Sequence, residues 1–232
     1  MIGRAAPGDT VTVDGRSVRV SAEGLFLFGF GRDASKPVHI VARDIECAVV
    51  AKKRDYKITR IDGLPKRKVS PNPADIKRIR ADNAAIGRTR TLNTPATDFA
   101  GGFTWPVVGR ISGVYGSQRV LNGKPRAPHN GVDIAAPAGT AIAAPAPGVV
   151  VLVEDDMFLT GKSVMLDHGH GLTSVYVHMS SIAVKQGQRL NRGEIIGAVG
   201  KTGRATGNHL HWGVTLFKTH LDPVLLAGEM KR

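Results

Sequence analysis

The chain of 232 residues has one cysteine, Cys47, too few for an intrachain disulfide or a cysteine-rich zinc site. Cys47 lies in the apolar run IECAVVA and is expected to be a small buried side chain. Cysteine poverty suits the cytoplasm, and equally an oxidising compartment, where nothing is left to mispair. Aromatic residues make up only 5%, and no basic strand is rich in them, so the stacking platforms that grip single-stranded nucleic acid are missing. No apolar run reaches bilayer-spanning length, so no transmembrane segment is expected. The start, MIGRAAPGDTVTV, lacks the apolar centre of a signal peptide. Acidic residues are also few, 19 against 32 lysines and arginines. The resulting net charge of +13 implies an anionic partner without choosing among nucleic acid, acidic lipid and wall polymer.

What the chain has in quantity is turn residues: 28 glycines and 13 prolines, which favour short strands over a helical bundle. DTVTVDG, SVRV, LFLFGF, PVHIV and YKITRI read as strands of a small β-rich domain over residues 1–65, with YKITRI an exposed edge. Residues 66–104 read as a basic helix and a linker. The helix opens at Asn72 as N-cap with Pro73 in its first position, and Ile76, Ile79 and Ile86 share one face. Residues 51–90 carry thirteen of the lysines and arginines against four aspartates. They form either an anion-binding arm, suited to anionic cell-envelope polymers, or a solvated helix packed by its isoleucines. TLNTPATDFAGG reads as the linker proper. Residues 105–225 return to short, glycine-punctuated apolar segments and predict an antiparallel sandwich or barrel-like domain, with hairpins resembling those of biotinyl/lipoyl sandwiches. Residues 226–232 are a tail, and the fold class is mostly β.

Six of the eight histidines lie between 129 and 211. In GNHLHWGV, His209 and His211 are two apart on a strand and therefore point to one side, with Leu210 behind them. In APHNGVDIAAP, His129 and Asp133 fall on one side of an extended segment, and a turn at Asn130–Gly131 draws them closer. A carboxylate entering an apolar stretch needs a partner, and a metal is one such partner. In SVYVHMS, alternation places His178 on one face with Tyr176 and Ser180. A catalytic zinc takes three protein ligands and keeps a fourth position open. His129, Asp133 and one histidine of HLH make such a set, leaving the other histidine and His178 for proton transfer.

HNGVD (129–133), VYVHM (175–179) and GNHLHWGV (207–214) resemble, in order, the three motifs of the lysostaphin/LytM-type zinc endopeptidases. The resemblance covers about residues 105–225. It implies a zinc metalloendopeptidase that hydrolyses peptide cross-links or stem peptides of bacterial peptidoglycan, in the cell envelope and most simply the periplasm. It implies one Zn2+ per chain on His129, Asp133 and His211, with His178 and His209 as unliganded catalytic histidines. Arg119, in YGSQR, matches a motif arginine near the cleft and is placed on the substrate side. The second histidine of LDHGHG departs from the usual pattern, and His168 and His170 are read as turn residues.

Some LytM-like proteins have lost zinc ligands and act as binding regulators of other wall hydrolases. This chain keeps all five site residues, which favours the enzyme. A nucleic-acid-binding protein is the other alternative, and no motif for it is present.

Overall fold

The computed structural model describes residues 1–231, and it is mostly β. In the N-terminal part, four antiparallel strands run in the order Arg16–Val18, Val11–Val13, Val38–Ala42 and Ile45–Val49. Asp14 and Gly15, both with positive φ, make the tight first turn. The small core holds Val11, Phe26, Phe28 and Ile40. The strand Leu25–Leu27 pairs with Ile2–Arg4, and its alternation sends Phe26 and Phe28 into this core while Leu27 reaches the main one.

Two expectations fail here. Cys47 is exposed, because Ile45–Val49 is an edge strand with nothing packed over it. YKITRI leaves the N-terminal sheet altogether. Ile58–Ile61 is an edge strand as expected, but it pairs in parallel with Gln118–Leu121, next to Lys124–Pro125. The following short helix, Lys66–Val69, buries Val69 with Leu64 and Leu121. The chain therefore enters the C-terminal part before residue 58.

The helix Pro73–Thr89 begins as its sequence implies. The Asn72 side chain accepts from the Asp75 amide at 2.8 Å, and Pro73 fills the first turn where no amide partner is needed. Its contact face is narrower than the three isoleucines suggest. Ile86 and Ala85 pack on Leu152, Met157 and Met165, whereas Ile76 is exposed. Polar ties take over at the other end: the Phe158 amide donates to Asp82 at 2.8 Å, and Arg78 pairs with Asp156 at 2.7 Å. Arg67 likewise holds Asp75, and Arg54 holds Asp222. Several charges of the basic segment are thus spent within the molecule. No helix is long and apolar enough to cross a membrane among the described residues.

The linker is docked as well. Phe99 and Phe103 are buried in the main core, and Thr94 donates to Asp167 at 2.5 Å. The tail is anchored too, with Trp105 donating to the Gly228 carbonyl at 3.1 Å and Met230 against the core.

The main sheet has ten strands and an antiparallel path: Arg189–Leu190, Gly148–Met157, Gly161–Asp167, Leu172–Ile182, His209–Leu216, Val132–Ala135, Arg110–Gly113. It is an open path with side branches, not a closed barrel. Ile195–Val199 branches off it, pairing with Leu172–Ile182 and with Ala141–Ala143. Trp212, Tyr176, Ile134, Leu210, Leu166 and Ile196 form the centre of the core. The strand His209–Leu216 lies between Leu172–Ile182 and Val132–Ala135, so three motifs distant in sequence become neighbours.

Candidate metal and catalytic centre

Alternation on His209–Leu216 works as expected: Leu210, Trp212 and Val214 are fully buried in the core, and His209 and His211 face the other way. Across the ladder Asp133 is directly opposite His211, and Val177 is opposite it on the other side. His129 sits in the loop before Val132–Ala135. Its amide donates to the Ser117 carbonyl at 2.9 Å, and its carbonyl accepts from Gly116 at 2.8 Å.

His129 Nε2, Asp133 Oδ1 and His211 Nδ1 form a triangle with sides of 2.9, 2.8 and 2.9 Å. His129 Nδ1 faces the Val114 carbonyl at 3.0 Å. A carbonyl only accepts, so Nδ1 carries the proton and Nε2 turns a lone pair towards the other two atoms. One proton on His211 Nδ1 can serve Asp133 or His129, not both. A cation at the centre satisfies all three donors, so the residues fit a metal ion by the chemistry of their atoms. Two histidines and one carboxylate are ordinary zinc ligands.

Glycine makes room for the triangle at two points. A Cβ on Gly113 would stand 2.3 Å from Asp133 Oδ2. One on Gly131 would stand 2.4 Å from the Trp212 carbonyl and 2.9 Å from the His211 ring.

His178 and His209 lie beside the triangle, their rings 4.8 Å apart, with His178 6.4 Å from the His211 ring. His209 Nε2 is 3.9 Å from Asp133 Oδ1. Each ring is held at Nδ1 by a backbone carbonyl: Thr202 for His178 at 2.8 Å, Gly207 for His209 at 2.9 Å. Both therefore present Nε2 as an acceptor. His178 does not share its face with Tyr176 as simple alternation implies. Val164 pairs with Tyr176 and Lys162 with Met179, so Val177 and His178 together oppose Ser163 in a bulge. His178 takes φ 65°, left-handed for a non-glycine residue, while Tyr176 is buried with its hydroxyl 2.8 Å from Ser174 Oγ. The bulge re-aims the imidazole.

Burial lowers the His178 pKa to about 3, with His209 and His211 adding to the effect. Burial likewise lowers His211 to about 4, against the pull of Asp133. For Asp133 burial acts upward, but the contacts to His129 and His211 prevail and hold the carboxyl well below its usual range. Burial thus favours a neutral His211 beside an ionised Asp133, the protonation state in which both bind a metal.

Arg119 lies closer to the centre than a substrate-side position suggests. Its Nη2 donates to Asp133 Oδ2 at 2.5 Å, leaving Oδ1 for the triangle. Sequence reading missed this pair, along with the carbonyls of Val114, Thr202 and Gly207. Backbone groups leave no mark in a residue pattern. His168 and His170 stay in their turn, away from the triangle. His168 is buried between the Pro147 carbonyl at 2.6 Å and Ser174 Oγ at 2.7 Å, and His170 takes a left-handed φ of 51°. His39 lies on the N-terminal sheet, 3.1 Å from Glu46.

The family model described as "Peptidase family M23" matches residues 127–223, which contain all five site residues. The Vibrio cholerae peptidoglycan DD-endopeptidase ShyA is 45% identical over 86 residues, 37% of this chain and 20% of that protein. The Neisseria gonorrhoeae DD-carboxypeptidase/endopeptidase Mpg is 39% identical over 99 residues, 43% of this chain and 23% of that one. The match thus spans a fifth to a quarter of these curated relatives. A zinc-containing peptidase from Vibrio cholerae, 20% identical with a TM-score of 0.50 over 98% of this chain and 86% of that one, shares the fold. A Pseudomonas aeruginosa peptidase M23 crystal structure aligns with 99% of this chain and 91% of its own, at 31% identity and a TM-score of 0.72. Its likeness extends over the N-terminal part as well as the motifs, and the chain belongs to peptidase family M23.

Proposed function

We propose that the chain is a zinc-dependent endopeptidase of the cell envelope, most simply the periplasm, that cuts peptide cross-links of bacterial peptidoglycan. The observation that carries the reading is the triangle of His129, Asp133 and His211 with the acceptor nitrogens of His178 and His209 beside it. The ShyA and Mpg matches support peptidoglycan as the polymer and a D,D-bond as the target.

Zinc, when bound, supplies a Lewis acid that polarises a carbonyl and makes water acidic enough to lose a proton near neutral pH. The remaining work falls to the protein. His129, Asp133 and His211 hold the ion, and Arg119 fixes the Asp133 carboxylate by its second oxygen. One of His178 and His209 takes the proton from water at Nε2, and that ring, now a donor, holds the developing oxyanion and passes the proton to the leaving amine. Their Nδ1–H bonds to Thr202 and Gly207 keep both rings from turning the wrong nitrogen inward.

The test is incubation of zinc-loaded and chelator-treated protein with purified peptidoglycan, followed by mass spectrometry of the muropeptides. Conversion of cross-linked dimers to monomers by the zinc form alone is expected. Unchanged dimers with the zinc-loaded protein would overturn the reading.

A further inference from the structure

Three arginines meet at the edge of the centre with one carboxylate among them. Arg119 is the one with the partner, Asp133, and its buried Nε has none. Arg126 is its neighbour across the Gln118–Leu121 and Lys124–Pro125 hairpin, where the Arg126 amide donates to the Arg119 carbonyl at 2.9 Å. Arg204 belongs to the loop that supplies the Thr202 and Gly207 carbonyls, so it emerges between the anchors of the two catalytic histidines.

The connector holds the outer two in place. Arg126 Nη2 donates to the Val69 carbonyl at 2.5 Å, and Arg204 Nη1 to the neighbouring Lys68 carbonyl at 3.4 Å. Two guanidiniums thus lie on consecutive carbonyls at the end of the short helix Lys66–Val69. Lys124 donates to Ser70 at 2.8 Å, and Lys68 reaches the Phe158 carbonyl at 2.5 Å, which fastens this helix to the peptidase part. Neither Arg126 nor Arg204 has a carboxylate within salt-bridge distance among the described residues. Burial works against the charge of Arg204, and Arg119 and Arg126 repel it. Holding like charges together, partly out of water, is unfavourable unless an anion joins them. Carbonyl acceptors satisfy some N–H groups but leave the charge uncompensated. A guanidinium fork is shaped for a carboxylate.

We propose that Arg126 and Arg204 form a carboxylate-binding subsite that seats a free carboxylate of the substrate peptide beside the bond to be cut. The inference rests on the peptidase reading and sharpens it. Glycine bridges carry no carboxylate along their length, whereas directly joined stem peptides carry one close to the cross-link. The subsite selects the second kind. It also gives the connector a function: its carbonyls aim the two forks.

The test uses three synthetic cross-linked stem dimers: one with free carboxylates, one amidated at the C-terminal carboxyl, and one amidated at the side-chain carboxyl next to the cross-link. The full chain and its R126Q, R204Q and double variants are loaded with zinc, and KM and kcat are measured. Binding of the dimers to the metal-free proteins is measured alongside by calorimetry. Wild type is expected to prefer the free dimer over one of the amidated dimers by roughly tenfold or more in KM and Kd, and that dimer identifies the carboxylate. In the double variant the ratio should fall to about one, with bound zinc and melting temperature still those of wild type. A wild type that cleaves all three dimers with equal KM overturns the subsite and leaves the peptidase standing. A double variant that keeps the ratio also overturns it. A zinc-loaded wild type that cleaves none of them overturns the peptidase reading instead, and the calorimetric ratio then still decides the subsite.

Discussion

Asp133 and His211 stand opposite each other on adjacent antiparallel strands, with Oδ1 2.8 Å from Nδ1, and the site grows outward from this pair. The ladder places the two Cα atoms, Arg119 takes the spare carboxylate oxygen, and the turn before Val132 brings His129 to the same point.

The first prediction follows from the division of the five residues. His211→Ala should lose both bound metal and hydrolysis. His178→Ala should keep stoichiometric zinc by elemental analysis while turnover falls by about 10²–10⁴-fold. Equal metal loss in the two variants would show the roles to be wrongly divided.

His178 also makes a prediction about stability. A left-handed conformation costs an ordinary residue roughly 1–2 kcal/mol, and glycine is spared that cost. His178→Gly should therefore be more stable than His178→Ala by about 1 kcal/mol in denaturant unfolding, although both are inactive. Equal stability would mean that φ 65° carries no strain here.

Gly113→Ala tests the room left for the carboxylate. The new methyl group would lie 2.3 Å from Asp133 Oδ2, so the carboxylate and its Arg119 partner must shift. Zinc affinity should drop by about 10–100-fold, as for losses in the shell behind a metal ligand. Competition with a chromogenic chelator reads this directly, and an unchanged affinity would refute it.

Acid stability should depend on His168. Burial lowers its pKa below the ordinary 6.5. Below about pH 6.5 the unfolded chain therefore takes up a proton that the folded one refuses, and stability falls as pH falls. The slope from this residue is at most about 1.4 kcal/mol per pH unit, the limit for one proton. His220, lowered to about 4 by burial and by Arg90, acts in the same direction. His168→Gln should flatten the decline as pH falls below about 6.5 in denaturant titrations, whatever it does to stability at pH 7.5. A slope identical to wild type would dismiss His168 as a source.

Local rules made much of this molecule legible. Period-two alternation put His209 and His211 on one side, and the Asn72–Pro73 signal marked the helix start, because each depends on residues close in sequence. What escaped depends on distant partners. Nothing in YKITRI announces a parallel strand on the far side of the chain, and nothing in IECAVVA says that its strand is left at an edge. The polar character of TLNTPATDFAGG hid one anchoring phenylalanine, Phe99, with Phe103 just beyond it, and an extra residue at His178 broke the alternation that its neighbours obey. Arg119 was found as a motif residue, but its pairing with Asp133 joins two strands that are not neighbours in one sheet, which no spacing encodes.

Leu27 enters the main core from a strand whose two flanking phenylalanines serve the smaller one, and Phe99, Phe103 and Leu64 are buried from segments outside the motif region. The stretch that can be recognised is therefore shorter than the stretch that can fold. A protein cut at residue 105 keeps His129, Asp133, His178, His209 and His211, yet bares the apolar pockets those side chains fill and the strand edge at Gln118–Leu121. For transplanting this site into another protein, the smallest transferable part is set by hydrophobic closure and begins ahead of Ile58.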